Sequence, residues 1–209
     1  MAPARQWTAF ALAWGFACAM RVSAADFTLT STEMSKVAAR QLVIRATLDA
    51  SQRRGTVRAA LQIDAPAEVV FRTMTNCADA LLYVPHLRSC RVRERGPGDS
   101  WLLVEHEIDF GWYAPRIRWV SRADMTANRK INFRQVSGDF KANEGTWELE
   151  PSVDGSRTLL LYRIYIDPPG YVPNWLARST FKRELPQMLS ELRRRCETEQ
   201  GLRAQAVPH

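Results

Sequence analysis

The stretch NWLARSTFKRELPQMLSELRRRCETEQ, residues 174–200, decides how the rest of the chain is read. Within it Phe181, Leu185, Met188, Leu189, Leu192 and Cys196 recur at three- and four-residue steps, so they share one face of an α-helix. Lys182, Arg183, Arg193, Arg194 and Glu197 fall on the opposite face. Asn174, following Pro173, suits an N-cap, and Gly201 suits a stop. Burying a large apolar side chain is worth roughly 1.5 to 3 kcal/mol, far more than helix propensity supplies, so this face needs a broad apolar surface to lie on. Pro186 interrupts the stretch, and a mid-helix proline costs about 3 kcal/mol in an unadapted helix. The expectation is a bend that wraps the helix over a curved sheet, with a ligand-operated hinge as the alternative.

The apolar surface is supplied by the preceding segments. LVIRATL (residues 42–48) and TVRAALQI (residues 56–63) read as two strands of a hairpin around a turn at 49–55. Two short helices follow, PAEVVFRTMTN with its proline near the first turn, and ADALLYV closed by Pro85. Six further strands are expected at 90–96, 100–113, 116–123, 130–140, 145–151 and 157–168, separated by turn chemistry that includes Gly96-Pro97-Gly98-Asp99 and Lys141-Ala142-Asn143. Such short gaps argue for an antiparallel meander. Along the fourth strand Leu102, Val104, His106, Ile108 and Phe110 share one face while Glu105, Glu107 and Asp109 share the other. Ile117 and Trp119, Ile131 and Phe133, Trp147 and Leu149, then Leu160, Tyr162, Ile164 and Ile166 continue the apolar face.

The chain has 209 residues, 46% hydrophobic and 24% charged, enough for one domain with a substantial core. Its first residues read differently. Arg5 precedes the uncharged run WTAFALAWGFACAM, followed by Arg21 and the small-residue site Val22-Ser23-Ala24, the order of a cleavable signal peptide. The expected organisation is a signal peptide at 1–24, an extension with an added strand at 25–55, the main domain at 56–200 and a flexible tail at 201–209. A periplasmic or secreted protein follows, with anchoring by an uncleaved N-terminus as the alternative.

Cys77 and Cys90 are spaced to form a disulfide in an oxidising compartment, with free thiols as the alternative, while Cys196 falls on the helix's apolar stripe. Neither a metal-site spacing nor a cofactor motif is present. The net charge of +7 is modest, and the absence of a recognised motif together with expected export argues against nucleic acid.

Several strings, in order, resemble the START-like helix-grip superfamily (SRPBCC), in the branch of coenzyme Q-binding proteins and polyketide cyclases. They are IDAPAEVVF (63–71), VPHL (84–87), GDFKANEGTWELEP (138–151), TLLLYRIYIDP (158–168) and VPNWLARSTFKRELPQMLSELR (172–193), within a similarity running from about Thr56 to Cys196. The resemblance implies an α+β fold in which a curved antiparallel sheet wraps a long C-terminal helix, with two short helices after the first core strand. It also implies a deep apolar cavity between sheet and helix. The residues expected to line it are His106, Ile108, Trp119, Phe133, Gln135, Trp147, Tyr162 and Ile164 from the sheet, and Phe181, Leu185, Met188 and Leu189 from the helix.

The expected function is that of a carrier or binding protein for a hydrophobic small molecule such as a lipid, a quinone or another isoprenoid-like ligand. His106, Tyr162 and Gln135 would offer it hydrogen bonds. His86 is expected on a loop near the cavity mouth. No nucleophile elbow, phosphate loop or paired-carboxylate motif is present, so no catalytic residue is assigned. The alternatives are a cyclase-like or hydrolase-like enzyme using His106 and Tyr162, and a protein-interaction module. The clusters Arg178, Lys182, Arg183 and Arg193-Arg194-Arg195 read as a solvated helix face, or as a transient contact with an anionic membrane surface. The oligomeric state is not legible.

Overall fold

Period-two alternation over eight segments produces eight strands, and a computed structural model describes them within residues 27–206. The expected signal peptide and residues 207–209 lie outside the described residues. The chain runs through α1 (Ser31–Ala38), β1 (Val43–Leu48), β2 (Gly55–Ile63), α2 (Ala67–Thr75), α3 (Cys77–Tyr83), β3 (Leu87–Arg95), β4 (Trp101–Ile108), β5 (Ile117–Thr126), β6 (Lys130–Gly138), β7 (Ala142–Pro151), β8 (Thr158–Asp167), α4 (Asn174–Ser179) and α5 (Leu185–Ala206). The sheet is antiparallel in the order β1-β2-β8-β7-β6-β5-β4-β3. Strands β3 to β8 form the meander, and β8 returns to pair with β2 through Ala60 opposite Leu161.

Side chains alternate between two cores. Ala59, Leu61 and Ile63 of β2 join Leu149, Leu160 and Tyr162 on the face that meets α2, α3 and α5. Ala60 and Leu161 turn to the other face, where Val37 of α1 and Val43 cover them. The N-terminal extension is therefore built into the sheet. Helix α1 starts with a capping box in which Thr30 and Glu33 satisfy each other's backbone, and Glu33 also pairs with Arg45.

The C-terminal stripe is buried as the spacing predicts: Leu185, Leu189, Leu192 and Cys196 are in the core, with Phe181 and Met188 packed against it. Three expectations along this segment need correction. Asn174 is the first helical residue, because Pro173 occupies the cap position and the Asn174 Oδ1 accepts a hydrogen bond from Arg53 at 3.0 Å. Gly201 does not stop the helix, which continues to Ala206, so the expected tail is helical over 201–206. Pro186 is not in the middle of a regular helix. A π-helical turn spans Thr180–Glu184, in which the Leu185 N–H bonds to the Thr180 carbonyl. Pro186 directly follows this π turn within one continuous helical segment, so the regular i→i−4 ladder is already broken where the proline lacks its N–H.

The strand expected over 100–113 ends at Ile108. Asp109 Oδ1 accepts from the Gly111 N–H at 2.8 Å, and Gly111 takes a φ of 79°, which together turn Gly111–Tyr113 into a 3-10 turn. Likewise Asn143, expected in a turn, lies within β7 opposite Ile166.

Candidate functional site

The sheet curves away from the first half of the C-terminal helical segment and leaves a hollow with two lobes. The first, of about 230 Å³, is enclosed by Met74, Ala80 and Tyr83 from α2 and α3, and by Leu102, Val104, His106, Phe133 and Trp147 from the sheet. The second, of about 210 Å³, lies between Ile108, Phe110, Ile117 and Phe140 on one side and Leu176, Phe181 and Leu185 on the other. Val84, Trp119, Asn143, Tyr162, Ile164 and Met188 line both lobes, so the two are neighbours across a common wall. Together they reach the size range of small-molecule sites.

The walls are largely aromatic. Trp147 stacks on Tyr162 with centroids 3.6 Å apart, His106 stacks on Trp119 at 4.9 Å, and Phe140 meets Trp119 edge-on at 5.2 Å. Gly145, opposite Phe133 and Ile164, makes room for this wall: a Cβ there would lie 2.6 Å from the Phe133 ring and 2.2 Å from the Arg163 carbonyl.

Most of the residues expected at the cavity line it: His106, Phe133 and Trp147 in the first lobe, Ile108, Phe181 and Leu185 in the second, and Trp119, Tyr162, Ile164 and Met188 in both. Gln135 and Leu189 are corrections. Gln135 turns its amide N–H to the Phe140 carbonyl at 2.8 Å and lies off the cavity wall. Leu189 is 0% exposed, packed in the solid part of the core. Cys77 and Cys90 are joined in a disulfide, Cα atoms 5.2 Å apart, that clips α3 to β3 and forms part of the first lobe's wall.

Burial shifts the titratable groups in the hollow toward their neutral forms. Burial lowers the His106 pKa to about 4, opposed only in part by the Val104 backbone and the charge of Glu105, so the imidazole is neutral near pH 7. Burial pushes the phenols of Tyr83 and Tyr162 far above their usual range. Glu184, at the edge of the second lobe, is raised by burial, with His86 and the Thr180 hydroxyl pulling the other way. Its carboxylate lies 3.9 Å from the His86 Nε2 and accepts from Thr180 at 3.2 Å. His86 is thus at the cavity's edge as expected, in a left-handed conformation with its ring 5.1 Å from Phe110.

Residues that sequence reasoning missed came from three sources. Asn143 was hidden in apparent turn chemistry. Arg53 reaches the second lobe from the β1–β2 turn, fixed by the Asn174 side chain and the Pro169 carbonyl. Glu184 was detectable, since it stands three residues after Phe181 and four before Met188 on the apolar stripe.

The basic run of α5 is tied into the fold: Arg193 donates to the Arg40 carbonyl, Arg194 pairs with Glu191, and Arg195 pairs with buried Asp79 at 2.7 Å. Arg178, Lys182 and Arg183 are exposed on α4 and the π turn. Among the described residues no group of three His, Cys, Asp or Glu could hold a metal ion, and no helix is long and apolar enough to cross a membrane.

Comparison with known proteins joins this architecture to a family. The sequence profile described as "Polyketide cyclase / dehydrase and lipid transport" matches residues 63–193, more than half of the chain. The chain belongs to that family. Solved structures carry the same START-like helix-grip fold as this polyketide cyclase and lipid transport family member. The STAR-related lipid transfer protein of Xanthomonas axonopodis superposes with a TM-score of 0.63 at 15% identity, covering 74% of this chain and 93% of that one. The Zhui aromatase/cyclase of Streptomyces sp. R1128 gives 0.56 at 18% identity, covering 72% and 96%. Human STARD10 gives 0.60 at 10% identity, covering 74% and 69%. No curated protein matches the chain in sequence.

Proposed function

We propose that this protein is an exported binding protein or carrier for a hydrophobic small molecule. The observation that carries the reading is the two-lobed, aromatic-walled hollow between the sheet and the C-terminal helix. The family's description, and neighbours named for lipid transfer and for aromatase/cyclase activity, support an apolar ligand. A quinone or other isoprenoid is favoured by the strings that resemble coenzyme Q-binding proteins. The Cys77–Cys90 disulfide and the leader-like N-terminus support a periplasmic or secreted location. The alternative there is an anchor formed by the uncleaved N-terminus.

Transient contact with an anionic membrane surface fits the rim of the second lobe. Trp175 is 57% exposed on α4 beside the exposed Arg178 and Lys182, and Trp112, 96% exposed, is on the turn whose flanks pack against Leu176 and Ala177. Native mass spectrometry of the purified protein, with organic extraction of whatever it carries, tests the carrier reading. An apolar molecule bound one per chain is expected; protein that is empty and takes up no hydrophobic probe would contradict it.

A second reading, a cyclase-like enzyme, is favoured by the neutral His106 and the Tyr162 phenol, which share the first lobe. For an enzyme, His106→Ala abolishes turnover of a cyclisable substrate while binding remains. For a carrier, the wild type binds such compounds without turnover.

A further inference from the structure

Asn143 is the amide side chain common to both lobes, beside the Tyr162 phenol and the Trp119 indole. It is 7% exposed, on β7 opposite the cavity-lining Ile166, and its Oδ1 has no hydrogen-bond partner within the protein. The same is true of the His106 Nδ1 in the first lobe, where the imidazole stacks on Trp119. Buried polar atoms are almost always paired, and leaving one unpaired is unfavourable, so two such atoms in one apolar hollow point to a ligand that satisfies them.

The chemistry narrows the ligand. An amide oxygen only accepts, so its partner must donate. A neutral imidazole nitrogen donates or accepts according to tautomer. A hydroxyl does both, whereas a ketone or aldehyde offers nothing to the amide oxygen. We propose that the hollow selects apolar molecules bearing a hydroxyl group, seated against Asn143 where the lobes meet, with His106 as the second polar contact. This rests on the hydrophobic-ligand reading and specifies the ligand's functional group, so that within the isoprenoid class the hollow takes a quinol in preference to its quinone.

The test is equilibrium dialysis of the purified protein with three matched probes: 2-naphthalenemethanol, 2-methylnaphthalene and 2-naphthaldehyde. They share one apolar body and differ in a hydroxyl, no polar group, or a carbonyl alone. The alcohol is expected to bind roughly tenfold more tightly than either of the others, the effect of one good hydrogen bond to an otherwise unpaired group. In Asn143→Leu, with its fold checked by circular dichroism, the advantage of the alcohol over 2-methylnaphthalene disappears. Equal affinity of the three probes for the wild type would overturn the proposal and leave the hydrophobic-ligand reading standing. An advantage that survives in Asn143→Leu would also overturn it. Binding of none of the three would overturn both. The wild-type comparison decides the matter even where Asn143→Leu fails to fold.

Discussion

The two ends of the C-terminal helical segment do opposite things with the same apolar stripe. From Leu189 onward, Leu189, Leu192 and Cys196 are 0% exposed and packed in the core that β2, α2 and α3 share. Before it, Phe181, Leu185 and Met188 face the hollow, and the helix there is widened by the π turn at Thr180–Glu184. The difference teaches that one amphipathic helix can serve as both a structural clamp and the lid of a cavity. The Cys77–Cys90 disulfide ties α3 to β3 in the wall of the first lobe, away from the packed end of the helix.

The most severe way to break this contrast is at the closed end. Leu192→Ala should lower the unfolding free energy by about 3 to 5 kcal/mol, the cost of a cavity in a rigid core, read from denaturant unfolding. A loss under about 1 kcal/mol there would mean that the clamp is not where the stability lies.

The covalent clip comes next. Cys77→Ser combined with Cys90→Ser should cost about 3 kcal/mol, as expected for releasing a short closed loop, and should weaken uptake of a hydrophobic probe because α3 is freed from β3. Unchanged stability and uptake would show that the first lobe's wall is held by packing alone.

A pH titration sharpens the contrast further. His106 titrates near 6.5 when unfolded and at about 4 in the fold, so between these values the unfolded chain holds the extra proton. Stability is therefore present above pH 6.5 and falls as the pH drops toward 4, by up to about 3 kcal/mol. In His106→Phe this part of the slope should vanish in urea titrations run across the window.

The smallest effect belongs to the open end. Met188→Ala should cost about 1 to 2 kcal/mol, less than Leu192→Ala, because the side chain is only partly buried and one side of it borders the hollow. Probe affinity should change more than stability, as followed by the same dialysis and unfolding measurements.

Much of this contrast was legible in the sequence. The spacing of Phe181, Leu185, Met188, Leu189, Leu192 and Cys196 located the clamp, and the alternation along β4 and β8 located the wall, because both periodicities are local consequences of backbone geometry. The boundary between the closed and open halves was not legible. Leu185 and Leu189 stand four residues apart on one face and are equally apolar, yet only Leu185 borders the hollow, a difference set by the segments packed opposite them.

Gln135 was misplaced for a different reason. A register shift between Val120 and Ser121 lies beside it in the β5–β6 pair, and its amide is claimed by the Phe140 carbonyl. Asn143 was overlooked because an asparagine after lysine and alanine carries turn chemistry, and its place in β7 is set by pairing with β8. Asn174 lost its capping role to Arg53, a contact across 121 residues that no local pattern announces.

The contrast between the two ends is tested most directly by methyl NMR of the protein during titration with 2-methylnaphthalene. The account predicts saturable shifts in the methyl signals of Met188, Met74 and Ile164, which line the hollow, with those of Leu189 and Leu192 unmoved. Shifts confined to exposed methyls such as those of Leu82 or Leu202, or no shifts at all, would contradict it.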